Sequence, residues 1–177
     1  MRYLLAVSLF LFTILLSAQS IRPSDTGSEI TFSINNFGLS TKGSLSGLTG
    51  SIMWNPADLK TASFNVSVVT KTINTDNRLR DDHLKKSDYF NVEKFPSINI
   101  QSNQISVGNR PGEYTMNATL TIKGVSKKIS FPFSVISQNG KTIFGTNFEI
   151  NRRDFGVGGG SISLSNTAKI SLKVVAY

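Results

Sequence analysis

Apolar and polar residues alternate along most of this chain, the period-two mark of strands with one dry and one wet side. Ile30, Phe32 and Ile34 share one face of a first strand, and Leu48, Ile52 and Trp54 one face of a second. Phe64, Val66 and Val68 follow a turn at Asn55-Pro56-Ala57-Asp58, and Ile98 and Ile100 mark a fourth strand. Beyond a turn at Asn109-Arg110-Pro111-Gly112, a longer ribbon sets Tyr114, Met116, Ala118, Leu120 and Ile122 on one side until Gly124 ends it. Ile129, Phe131, Phe133 and Val135 alternate next. Asn139-Gly140 is the strongest short hairpin signal in the chain, because a type I′ turn needs two residues with positive φ. Phe144, Phe148 and Ile150 mark the return strand. After a glycine-rich stretch, 156–160, a last strand sets Ile170, Leu172 and Val174 inward against Lys169, Ser171 and Lys173. Pro132 places its own strand at an edge or a bulge, since proline has no N–H to give to a ladder.

Helical periodicity is nearly absent. The exception is the charge-rich segment 74–90, where residues 76–86 are expected to form a short helix capped by Asn74 or Thr75. About eight strands joined mostly by short turns predict an all-β antiparallel meander. Closure into a barrel would remove its exposed edges, and a flat sandwich is the alternative. Inward side chains of a small barrel either fill it or line a cavity for one ligand, and periodicity does not choose between the two.

The first twenty residues read as a secretory leader: Arg2, an apolar run from Leu4 to Leu16, then Ser17-Ala18-Gln19-Ser20. That run is shorter than the roughly 20 residues a membrane-spanning helix needs, which favours cleavage over an anchor. Removal after Ser20, or beside Gln19, leaves one domain over residues 21–177, with a periplasmic or secreted location in a bacterium. The absence of cysteine excludes disulfides, thiolate metal sites and cysteine nucleophiles. A net charge of +8 suits an anionic lipid headgroup or a membrane surface, and equally plain solubility. The basic residues are scattered in pairs such as Lys85-Lys86 and Lys127-Lys128, so no nucleic-acid partner is expected.

Candidate chemistry is sparse. His83, the single histidine, lacks the companions of a zinc site, and no Gly-x-Ser-x-Gly elbow supplies a hydrolase nucleophile. No catalytic residue, metal or cofactor is therefore assigned. Arg80 and Asp81 are expected to tie a loop to the barrel through charge-assisted hydrogen bonds, with His83 completing the arrangement. Arg153, in Asn151-Arg152-Arg153-Asp154, is expected to join Arg80, Asp81 and His83 in organising the mouth or the long loop. The glycines at 156, 158, 159 and 160 miss the dinucleotide spacing, because Ser161 stands where the last glycine belongs. Two sequons, at Asn65 and Asn117, fall inside expected strands.

Several segments together resemble the YceI-like family. Phe32-Ser33-Ile34 with Gly38, Gly43 and Gly50 is similar to its opening strands. Thr72-Ile73-Asn74-Thr75, Arg80-Asp81-Asp82-His83-Leu84, and the run from Ser87-Asp88-Tyr89-Phe90 to Lys94-Phe95-Pro96 resemble its signature. Ala118-Thr119-Leu120-Thr121-Ile122-Lys123-Gly124-Val125 and Asn151-Arg152-Arg153-Asp154-Phe155-Gly156-Val157 resemble later elements. Asn36 departs from a usual His, Tyr89 from Phe and Asn91 from Asp, and Gly158-Gly159-Gly160 replace a more polar turn.

The resemblance implies an eight-stranded antiparallel, lipocalin-like barrel with one short helix or long-loop excursion. It implies an apolar tunnel for a polyisoprenoid, quinone or related amphiphile, with a fatty-acyl lipid also expected, and no catalytic step; transient membrane contact, which the positive charge suits, and a monomer or homodimer are expected beside it. At about 0.8 kcal/mol per buried CH₂, ten chain carbons contribute roughly 8 kcal/mol before association costs, so a tail needs no specific polar contact. On this reading Phe32, Ile34, Phe37, Leu48, Phe64, Phe90, Phe95, Ile98, Met116, Phe131, Phe144, Phe148 and Phe155 supply the dry lining. Two rivals are an enzyme acting on a lipid with His83 as acid or base, and a stress-related interaction module with a filled barrel.

Overall fold

The computed structural model describes residues 19–177, so residues 1–18 of the expected leader lie outside it. The chain forms β1 (Gln19–Ile21), β2 (Pro23–Asn36), β3 (Leu39–Trp54), β4 (Ser63–Asn74), α1 (Arg78–Leu84), β5 (Ser97–Val107), β6 (Glu113–Ile122), β7 (Val125–Gln138), β8 (Lys141–Asn151) and β9 (Leu164–Ala176). A single 3₁₀ turn, Arg152–Phe155, follows β8. Strands β2 to β9 pair antiparallel in sequence, and β9 pairs with β2, which closes an eight-stranded barrel. β1 adds to the far end of β3, with Ile21 opposite Ile52. Closure removes the sandwich alternative.

Local chemistry sets the corners. Asn139 and Gly140 both have positive φ, 52° and 72°, as the hairpin signal required; Lys123 and Gly124 repeat the geometry. Pro132 is not on an open edge, because every barrel strand has two neighbours. The β7–β8 ladder nonetheless stops at Ser134, so proline sits where β7 has parted from β8 and no N–H is wanted there. A bulge near Gly47 (φ 75°) bends β3, and the Asp25 carboxylate accepts from the amides of Gly47 (2.9 Å) and Leu48 (2.8 Å).

α1 is shorter than expected, and its cap is neither Asn74 nor Thr75. Asn77 caps it, accepting from the Arg80 amide at 3.0 Å. Asn74 instead closes a turn on the Asp76 amide (2.9 Å), where a φ of 57° breaks any helix begun earlier.

The two ends of the barrel are packed differently. At the end where β3 finishes and β4 begins, Trp54, Phe64, Tyr114, Phe133 and Phe144 meet edge to face, with centroids 4.9 Å apart for Trp54–Tyr114 and 5.0 Å for Phe64–Phe144. Ile52, Ile105 and Met116 complete this floor. At the opposite end, Leu120, Ile122, Phe155 and Val157 form a smaller cluster with Tyr89 and Phe90 beside it.

Candidate functional site

Between these clusters the inward rows do not meet. Ile30, Ile34, Leu45, Ile170, Leu172 and Val174 face inward yet stay only half-buried, because they border an apolar cavity of about 330 Å³. On one side Phe148 borders it at mid-height, opposite Ile170, and is backed by a stack on Phe131 with ring centroids 4.4 Å apart and planes within 13°. Phe32 forms one wall, and its ring lies over Gly43, where a Cβ would come within 2.3 Å of it. Glycine there makes room for the ring.

Polar groups gather at the other end. The Arg80 guanidinium donates from Nε to Thr75 Oγ1 and from a terminal nitrogen to the Thr75 carbonyl, both at 2.7 Å. Buried Asp81 accepts from the Thr75 amide (2.9 Å) and hydroxyl (2.5 Å). Thr75 is thus the knot through which α1 is tied to the end of β4. His83 meets the Tyr89 ring edge-on at 4.9 Å.

Arg152 is 4% exposed and gathers four carbonyls in and around the loop before β9. It donates to the carbonyls of Ser165 (2.8 Å), Val157 (2.7 Å), Gly159 (3.1 Å) and Leu164 (3.1 Å). All of these partners are neutral. Burial first, and then the neighbouring charge of Arg153, pull its pKa below the ordinary guanidinium value, with Tyr89 opposing. Arg80, His83 and Arg152 all border the cavity, and among the described residues no carboxylate does. An apolar chamber with cationic groups at one end fits an amphiphile, tail inward and polar or anionic head at the mouth. Among the described residues no cluster of three or more His, Asp or Glu could hold a metal.

The structure sorts the expected lining residues into three groups. Phe32, Ile34, Leu48, Phe90, Ile98, Phe148 and Phe155 border the cavity. Phe64, Met116, Phe131 and Phe144 share its inward face but lie in the packed floor. Phe95 and Phe37 lie elsewhere: Phe95 packs under Gly124, and Phe37 is 82% exposed at the tip of the β2–β3 hairpin. Phe37 is one position out of phase with Phe32 and Ile34; their row continues at Asn36, which borders the cavity. Arg80 and His83 border the mouth and Asp81 braces it, whereas Arg153 is exposed. The buried arginine is Arg152, which keeps the parity of Phe148 and Ile150; extending the alternation by one step would have found it.

The profile of the YceI-like domain family matches residues 21–176. A UPF0312 protein of Staphylococcus aureus is 28% identical over 141 residues, covering 73% of this chain and 77% of that protein. Among solved structures, BcnA of Burkholderia cenocepacia superposes with a TM-score of 0.83 at 19% identity, over 88% of this chain and 99% of BcnA. A polyisoprenoid binding domain from Saccharophagus degradans superposes at 0.71 and 13% identity, over 88% of this chain and 97% of that one. Both structural likenesses are of fold.

Proposed function

Because the chain belongs to the YceI-like family, we propose that its barrel is a non-enzymatic carrier for one amphiphilic lipid, a polyisoprenoid, isoprenoid quinone or fatty-acyl compound, held for transport, storage or sequestration. The observation that carries this reading is the cavity between two packed clusters, apolar along its walls and cationic at its mouth. The polyisoprenoid-binding structural neighbour supports the ligand class. At about 30 Å³ per methylene-sized group, 330 Å³ takes on the order of ten chain carbons, and their burial contributes roughly 8 kcal/mol before association costs. We further propose that the chain is exported to the periplasm or beyond, and that it meets a membrane surface briefly to load or unload.

The test is a titration of lipid-free protein with a fluorescent acyl or prenyl probe. Saturable one-to-one uptake is expected, with affinity rising with tail length up to about a dozen carbons. His83→Asn should bind the probe as well as the parent does. Chemical turnover of the lipid that disappears in His83→Asn would replace the carrier with an enzyme.

A further inference from the structure

Three large apolar side chains project from the open end of the barrel with no described residue packed over them: Phe37 is 82% exposed, Leu39 75% and Ile162 104%. Phe37 and Leu39 flank Gly38 at the tip of the β2–β3 hairpin. The Phe37 amide donates to the Ser163 carbonyl at 2.9 Å, which sets Ile162 beside that tip. Asn36, Ser161 and Ser163, next in sequence to these side chains, border the cavity. The patch is therefore the rim of the mouth. Leu79, 85% exposed on α1, stands at the same end.

Phe37 occupies its place against two local preferences. Its φ is 49° and that of Gly38 is 78°, the pair of positive angles that defines a type I′ turn. Asn, Asp or Gly fill the first of these positions readily, whereas a bulky aromatic pays in backbone strain. The same ring then stands in water. A residue that is unfavourable for both backbone and solvent points to a surface that receives the ring outside this chain.

Charge identifies that surface. Arg78, with a side chain 94% exposed, adjoins Leu79 and shares the Asp82 carboxylate (3.9 Å) with Lys85 (3.5 Å), so two cations meet one anion there, and Lys86 follows α1. Arg153 lies across a surface groove from Gly38 and Ile162. Apolar tips fringed by cations match the interface of an anionic bilayer, where rings and aliphatic chains enter the headgroup layer while Lys and Arg meet phosphates. We propose that Phe37, Leu39, Ile162 and Leu79 dock the mouth of the barrel onto an anionic lipid surface, so that a tail passes between bilayer and cavity without crossing water. The passage of a tail rests on the carrier reading; the docking does not.

The experiment is co-sedimentation of the protein, as isolated from its cells, with vesicles of phosphatidylcholine containing phosphatidylglycerol and of phosphatidylcholine alone. Preferential binding to the anionic vesicles is expected. Phe37→Asn should weaken it about tenfold while the thermal midpoint holds or rises, because Asn-Gly suits the turn. Leu39→Ser combined with Ile162→Ser should weaken it further. Both variants should take up a soluble fluorescent acyl probe as the parent does. Equal binding to both vesicle types, or undiminished binding by Phe37→Asn, overturns the proposal. So does a dimer that depends on Phe37 and forms without vesicle binding. Failure of the parent to take up the soluble probe would overturn the carrier reading and leave the sedimentation result standing.

Discussion

Replacing Ile170 with tryptophan gives opposite signs for an open and a filled interior. Ile170 stands midway along β9, opposite Phe32 on β2 and Phe148 on β8, and faces the cavity outside both packed clusters. The exchange adds side-chain volume on the order of 60 Å³, less than a fifth of the 330 Å³ present. In a filled core that excess forces off-rotamer side chains at about 1–3 kcal/mol. Here the ring enters space. Covering on the order of 60 Å² of apolar surface at about 25 cal/mol per Å² stabilises lipid-free protein by roughly 1.5 kcal/mol. For a domain of this size that is a rise in Tm of about 3–6 °C. The lost volume also shortens the longest tail accommodated by about two carbons. Calorimetry of lipid-free protein, paired with probe titration across a tail-length series, measures both. A fall in Tm of several degrees with unchanged uptake would refute the reasoning.

Arg152→Met should cost about 3–5 kcal/mol in denaturant unfolding, because the carbonyls it holds lose their donor. Arg152→Lys should recover only part of this, since an ammonium cannot span the same fork; full stability of Arg152→Met would show that the loop is anchored otherwise. Phe148→Ala removes one ring of the stacked pair and should enlarge the cavity by the volume of about three chain carbons, moving the tail-length optimum up accordingly. An unchanged optimum would show that this ring does not bound the tail.

Period-two alternation made the strands legible, since each inward residue of a barrel strand is two positions from the next. Closure, and the choice between a filled and a hollow interior, were not legible from that period. Closure depends on β9 meeting β2 across the sequence and the hollow on height along the barrel axis, and alternation encodes neither. Phe131 and Phe32 carry the same signal, yet one stacks in the floor and the other walls the cavity. Arg80 and Asp81 stood out through motif, although the Thr75 knot that joins them involves backbone groups no side-chain pattern reveals; His83 stands outside that knot, against Tyr89. Arg152 and Arg153 are adjacent in sequence and opposite in environment. A 3₁₀ turn decides between them, and its parity runs on from β8.

The central claim is that the walls of this barrel stand apart because a hydrocarbon chain belongs between them. Mass spectrometry of the protein purified from its native compartment, under conditions that preserve complexes and again after organic extraction, addresses it directly. The account predicts one stoichiometric added mass that moves into the organic phase and proves to be an amphiphile with an aliphatic or prenyl tail. A bare polypeptide mass, from protein that also refuses acyl and prenyl chains when offered them, would contradict it.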